Sequence, residues 1–295
     1  MTRQLVLIHG RSQQHRDANE VKNEWVDALK SGLAKNGLTL PISDNDIRLP
    51  YYGQALYDLV ADKPASEVAE VIVRGDDKNQ NEMEFIRSVL LEIQQQTGVT
   101  DEQVQGLSDE TVAERGVLNW KWVRSVLKAL DTYVPGASST SVSIATRDVY
   151  LYLRNLGFQN VIDKGVRAAF TPGVETVVVG HSLGSVVSYN ILRRDGKALG
   201  WKVPLFVTVG APLAVRVIKQ ALAPVKHPEC VVKWFNAMDS RDIVALYPLD
   251  SQHFSVSPPI ENKTDVDNPT ENRHGISGYL SDAVVAKRIY DALTA

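Results

Sequence analysis

The sequence predicts an α/β protein built on a doubly wound, mostly parallel sheet, and three observations carry that prediction. Short continuous apolar runs, Leu5-Val6-Leu7-Ile8 and Val177-Val178-Val179 among them, have the composition of strands buried on both faces. Stretches with apolar residues at helical spacing lie between them, so strand and helix alternate along the chain. One apolar run ends in Gly180-His181-Ser182-Leu183-Gly184 and passes at once into a helical pattern, which requires a sharp strand-to-helix turn.

The first strand, residues 5–8, ends at His9-Gly10. Residues 17–35 put Val21, Trp25, Leu29 and Leu33 on one helical face, and Gly37 stands just past the end as a stop. A shorter strand is expected over 46–49, before Pro50 and the loop Tyr51-Tyr52-Gly53. From 53 to 146 the alternation breaks down: Phe85, Val89 and Ile93 mark one amphipathic helix, and Trp122, Val126 and Leu130 mark another. This segment reads as an inserted helical cap, which leaves 1–52 and 147–295 as the core domain. Residues 142–170 return to a helical pattern, interrupted near Gly157, and lead into the valine strand. Beyond the turn, strands are expected over 203–209 and 231–235, with residues 213–222 helical between them, and a last strand within 254–260. Ser281 is placed to cap a final helix over 282–293, with Val285, Ile289 and Leu293 facing inward.

Composition narrows the function classes. A chain of 295 residues with 44% hydrophobic and 23% charged residues has the make-up of a folded domain, so disorder is excluded. A net charge of -3 without a Lys/Arg block argues against nucleic acid or an anionic membrane as partner. Four consecutive apolar residues before His9 are too few for a signal peptide, and no run approaches a membrane span, so a cytoplasmic location is expected. The one cysteine, Cys230, excludes an internal disulfide and reads as a small buried hydrophobe beside Val231, which leaves the Asn262-Lys263-Thr264 sequon idle. Residues 53–146 carry 15 acidic and 8 basic side chains, the pattern of a solvated acidic surface. Phosphate-loop, dinucleotide and zinc motifs do not occur, so no cofactor is expected.

The chemistry centres on Ser182. Gly180 and Gly184 flank it as in G-x-S-x-G, where the missing Cβ atoms let strand and helix approach closely enough to hold the serine in a strained conformation. A serine hydroxyl needs a base to take its proton and an acid to orient that base. On this architecture the acid follows a later strand, where Asp239 and Asp242 compete, and the base precedes the last helix, where His274 fits best and His253 is the other candidate. The oxyanion of the tetrahedral intermediate needs two N–H donors: one from Leu183, and one from Arg11, turned into the site by Gly10. The Arg11 side chain, with Gln13 and Gln14, is placed to meet an anionic or polar substrate group. His181 reads as a packing residue, and His15 and His227 as surface-loop residues.

With these segments in order, the chain resembles the α/β-hydrolase superfamily, in its lipase and esterase branch. Gly180-His181-Ser182-Leu183-Gly184, and Asp242-Ile243-Val244 followed by Ala245, are similar to segments of class 3 lipases and lipase-like GPI inositol-deacylases, in which that aspartate is the triad acid. The resemblance therefore favours Asp242 over Asp239. Thr208-Val209-Gly210-Ala211-Pro212-Leu213 resembles the turn after the next strand in phospholipases and bacterial lipase-like hydrolases. Ser185 departs from the family's second glycine after the elbow, and 53–146 matches no motif of these families. The resemblance implies a serine hydrolase that cleaves a small-molecule ester or lipid-like acyl substrate through an acyl-enzyme on Ser182, with Asp242 and His274. The same site serves a thioester or an amide, and a non-catalytic ligand-binding protein on this fold is the reading from another class. The cap is expected to cover the mouth of the site, with Trp120 and Trp122 either lining an acyl pocket or filling core.

Overall fold

The apolar runs form strands in the computed structural model, which describes residues 3–10, 17–52, 80–107 and 120–295. Six strands, β1 (Gln4–Ile8), β2 (Ile47–Arg48), β3 (Thr176–His181), β4 (Val203–Val209), β5 (Val231–Ala237) and β6 (Glu261–Lys263), make one sheet in the order β2-β1-β3-β4-β5-β6. Every neighbouring pair is parallel. Because successive side chains point to opposite faces, each strand feeds two cores. Leu5, Leu7, Val177, Val179 and Val207 face one side, and Val6, Ile8, Val178, Phe206 and Trp234 face the other.

Helices cover both sides, so the protein is α/β with a sheet wound on two faces. On the first side lies α1 (Ala18–Ala34), with Asp17 accepting the Asn19 and Glu20 N–H groups at its N-terminus. Its buried stripe of Val21, Trp25, Leu29 and Leu33 contributes about 1.5–3 kcal/mol per side chain. Packing therefore outweighs intrinsic propensity in holding the helix. Gly37 ends this unit in the left-handed region, φ 66°. The opposite side carries α2 (Gln80–Thr97), α3 (Asp101–Gly106), α4 (Trp120–Tyr133), α5 (Ser139–Arg154), α6 (Leu156–Ala168) and α7 (Leu183–Asp195). A buried polar network ties the last three together: the Tyr152 hydroxyl donates to Asp163, Asn190 donates to Tyr152, and Arg194 donates to the other Asp163 oxygen.

Several boundaries differ from the sequence expectation for identifiable reasons. Residues 142–170 are two helices, broken near Gly157 as expected, at Asn155, because Asn155 is extended and its side chain accepts the Phe158 N–H to start α6. Helix α5 begins at Ser139 and runs through the expected cap boundary at 146. Residues 213–222 split into a 3-10 turn, Pro212–Ala214, and α8 (Arg216–Ala221). The last strand is β6 at Glu261–Lys263, later than 254–260. After α9 (Ile276–Leu280), the cap of α10 (Ala283–Thr294) is Asp282, not Ser281, its side chain accepting the Val284 and Val285 N–H groups.

Within 53–146, residues 53–79 and 108–119 lie outside the described residues, as does the Trp120 side chain. Phe85, Val89, Ile93, Trp122, Val126 and Leu130 are buried in the same cluster as the sheet. Cys230 is buried against the Leu192 carbonyl. His227 is not a surface residue: it is buried edge-on to Trp234. Asn262 is engaged internally, its amide donating to the Leu249 and Ile260 carbonyls. Among the described residues no helix is long and apolar enough to cross a membrane.

Candidate active site

The strand order determines where a site can form. The chain leaves β1 for β2 on one side and returns to β3 on the other, and a crevice opens at the carboxyl ends of strands where the winding reverses in this way. His9-Gly10 forms one lip of that crevice and Ser182 the other.

Ser182 holds φ 54° and ψ −125°, a region that residues with a Cβ rarely adopt and that costs of order 1–3 kcal/mol. The surroundings impose it. The Ser182 N–H donates to the Val209 carbonyl at 3.2 Å, and the Ser182 carbonyl accepts from the Ser185 N–H at 3.0 Å and from Ser185 Oγ at 2.8 Å. Ser185 thus acts on the turn through its hydroxyl. Both flanking glycines are sterically required: a Cβ at Gly180 would lie 2.7 Å from Ser188 Oγ, and one at Gly184 would lie 2.0 Å from the Ile8 carbonyl oxygen. Leu183 opens α7, so its N–H is among the donors that the helix cannot satisfy itself.

The facing lip is built around His9. Its Nε2 accepts the Tyr52 N–H at 3.3 Å, its Nδ1–H donates to the Gly10 carbonyl, and the Tyr52 hydroxyl donates to the His9 carbonyl. The His9 and Tyr52 rings stack at 4.0 Å. Burial pushes the His9 imidazole down to about 4, so it is neutral and serves as scaffold. Gly10 packs directly on the serine, a Cβ built on it lying 3.0 Å from Ser182 Cβ and 3.5 Å from Oγ. Arg11, Gln13, Gln14 and His15 lie outside the described residues.

The segment after β5 brings an acid to this edge. Asp242 is 2% exposed; its Oδ1 accepts the Val244 N–H at 2.9 Å and the Ala245 N–H at 3.4 Å, and its Oδ2 accepts His274 Nδ1 at 2.7 Å. Burial alone would raise this carboxyl, but the His274 charge and hydrogen bonds from His274, Tyr279 and Val244 hold it below the ordinary carboxylate range. Asp239 has different partners: it accepts from the Arg241 N–H and guanidinium and from the Asn268 N–H, tying the loop after β5 to the segment before His274. His253 pairs with Asp250 and stacks on Tyr247, so the structure does not bring it to Asp242.

His274 sits over the elbow. A Cβ at Gly210 would lie 3.1 Å from its Cε1, and its ring centroid is 4.8 Å from that of His181, the residue before the serine. His181 Nε2–H donates to the His274 carbonyl at 2.7 Å. Burial first, then the neighbouring His274 charge, lowers His181 to about 3, so it stays neutral and holds the His274 backbone, a role more specific than packing. Among the described residues His274 Nε2 is buried without a hydrogen-bond partner, and no hydrogen bond joins it to Ser182 Oγ.

Two contributors carried no sequence signal: Tyr52, which clamps the His9 lip, and Tyr279, which donates to Asp242 Oδ2 at 2.6 Å. Compared with protein-family models, with curated protein sequences and with solved structures, the chain matches none.

Proposed function

We propose that the protein is a serine hydrolase of carboxylic esters on an α/β-hydrolase scaffold, with Ser182 as nucleophile, His274 as base and Asp242 as the group that orients the base. The observation that carries this reading is a serine held in a strained turn at the same sheet edge as a buried Asp–His pair. With Nδ1–H committed to Asp242, the neutral ring presents an Nε2 lone pair, the form that accepts a serine proton. Oγ then attacks the ester carbonyl. The tetrahedral oxyanion is received by the Leu183 N–H and by the loop that starts at Gly10 and continues into Arg11, and the imidazolium returns its proton to the departing alcohol. Water repeats the sequence to release the acid.

An apolar crevice lined by Val89, Val149, Pro212, Val215, Ile243 and Val244 lies beside the segment that carries the acid and offers apolar surface to an acyl group. A panel of p-nitrophenyl esters from acetate to palmitate, with a thioester beside it, tests the proposal. Turnover is expected on the esters and is expected to fall by several orders of magnitude in Ser182→Ala without loss of fold. An undiminished rate in Ser182→Ala would overturn the assignment.

A further inference from the structure

Asp242 does not need Tyr279 in order to be a satisfied buried carboxylate, since Oδ1 takes two backbone N–H groups and Oδ2 takes His274. The Tyr279 hydroxyl nevertheless donates to Oδ2 at 2.6 Å, the oxygen already engaged by His274, and itself accepts the Asp239 N–H at 3.3 Å. Its ring is fully buried and wedged against Gly210, a Cβ there lying 3.0 Å from Tyr279 Cε2. Fixed at the ring and held by a backbone donor, the hydroxyl is directed at one lone pair of one oxygen. Burial and the Asp242 charge hold the phenol well above its ordinary range, so the group is a donor at neutral pH.

We propose that Tyr279 is a positioning residue for the base: by donating to Asp242 Oδ2 it fixes the rotation of the carboxylate and tempers the negative charge that His274 meets. For its kinetic consequence this rests on the reading of Ser182, His274 and Asp242 given above; for the titration of His274 it does not. Among the described residues, the other titratable groups facing the cluster are Asp239 with its partner Arg241 after β5, His181 at the end of β3, and His9 beyond it at the end of β1. On the elements packed against α9, Lys35 after α1 donates to the Ser281 carbonyl and Asp282 pairs with Lys263. These groups are common to all the proteins compared below.

A donor on Oδ2 draws electron density away from the imidazolium's partner, so removing it makes the carboxylate more negative toward His274 and preserves the imidazolium to higher pH. Full-length wild type, Tyr279→Phe and protein carrying 3-fluorotyrosine at 279, a stronger donor, are compared in two ways. The His274 imidazole resonance is followed against pH, and the rate of fluorophosphonate labelling of Ser182 is measured across the same range.

In Tyr279→Phe the His274 resonance and the acid limb of labelling are expected to shift to higher pH, and the plateau rate to fall roughly ten- to a hundredfold, as for loss of a hydrogen bond to a charged group. The fluorinated protein is expected to titrate lower than wild type. A side chain that only fills space would move neither. Identical His274 titration in the wild type and both altered proteins overturns the proposal. If Tyr279→Phe does not fold, the fluorinated protein, one atom different, decides alone. If wild-type Ser182 takes no label, the hydrolase reading fails while the imidazole titration still decides the role of Tyr279.

Discussion

Three residues apart and both buried, Asp239 and Asp242 differ in what they hold. Asp239 binds an arginine and the Asn268 backbone, and Asp242 binds a histidine. Asp242→Asn is therefore expected to lower kcat by orders of magnitude, because the imidazole loses its orienting charge. Asp239→Asn is expected to lower thermal stability while kcat changes far less. The opposite ranking, read from kinetics and melting curves together, would exchange their roles. His9 gives a prediction of a different kind. Its folded value of about 4 lies below the unfolded 6.5, so the unfolded chain takes the proton first as pH falls. Stability is then full above 6.5 and is lost as pH drops toward 4, by about 3 kcal/mol from His9, with His181 acting in the same direction. Urea unfolding between pH 7 and 4 checks this, and His9→Asn should flatten the dependence. At this scale the sequence exposed residues whose type is rare in their setting, Ser182 between two glycines above all. It left Tyr279 invisible, because a tyrosine on a short helix looks the same whether its hydroxyl meets water or a carboxylate.

At the level of elements, Gly184 at the elbow and Gly165 within α6 differ in the space that a side chain would find. Gly184 leaves no room for a Cβ against the β1 backbone, so Gly184→Ala is expected to destabilise by about 3 kcal/mol or more. Gly165, inside α6, has nothing within 4 Å of a built Cβ, and Gly165→Ala is expected to stabilise by about 0.5–1 kcal/mol. Denaturant midpoints of the two variants test both signs. Strands and long helices were legible because buried parallel strands and amphipathic helices impose periods on the apolar residues, as in Val177-Val178-Val179 and on α1. Their ends were less legible, because caps are decided by single hydrogen bonds. Asp282 rather than Ser281 starts α10, and Asn155 breaks the helical stretch near Gly157, each through one side-chain oxygen on backbone N–H groups. The last strand is expected too early, within 254–260, because β6 is three polar residues held by the sheet edge rather than by their own composition.

For the molecule as a whole, the described helices of the segment expected as a cap, α2 and α4, share the core of the sheet. Leu90 and Val126 are buried in the cluster that also contains Val178 and Phe206 of the sheet. Leu90→Ala is accordingly expected to cost about 2–5 kcal/mol of global stability, as a core cavity would, whereas a local loss without a change in the global transition would favour a separable cap. The doubly wound sheet follows from alternation that the sequence displays, whereas the meeting of residues 9, 182, 242 and 274 at one edge depends on strand order, which no local pattern encodes. The measurement that tests the central claim most directly is the mass and position of the adduct formed with a fluorophosphonate. A single adduct on Ser182, forming faster as pH rises and absent from Ser182→Ala and His274→Ala, is the expected result. Labelling at another residue, or labelling of Ser182 that is indifferent to His274→Ala, would contradict it.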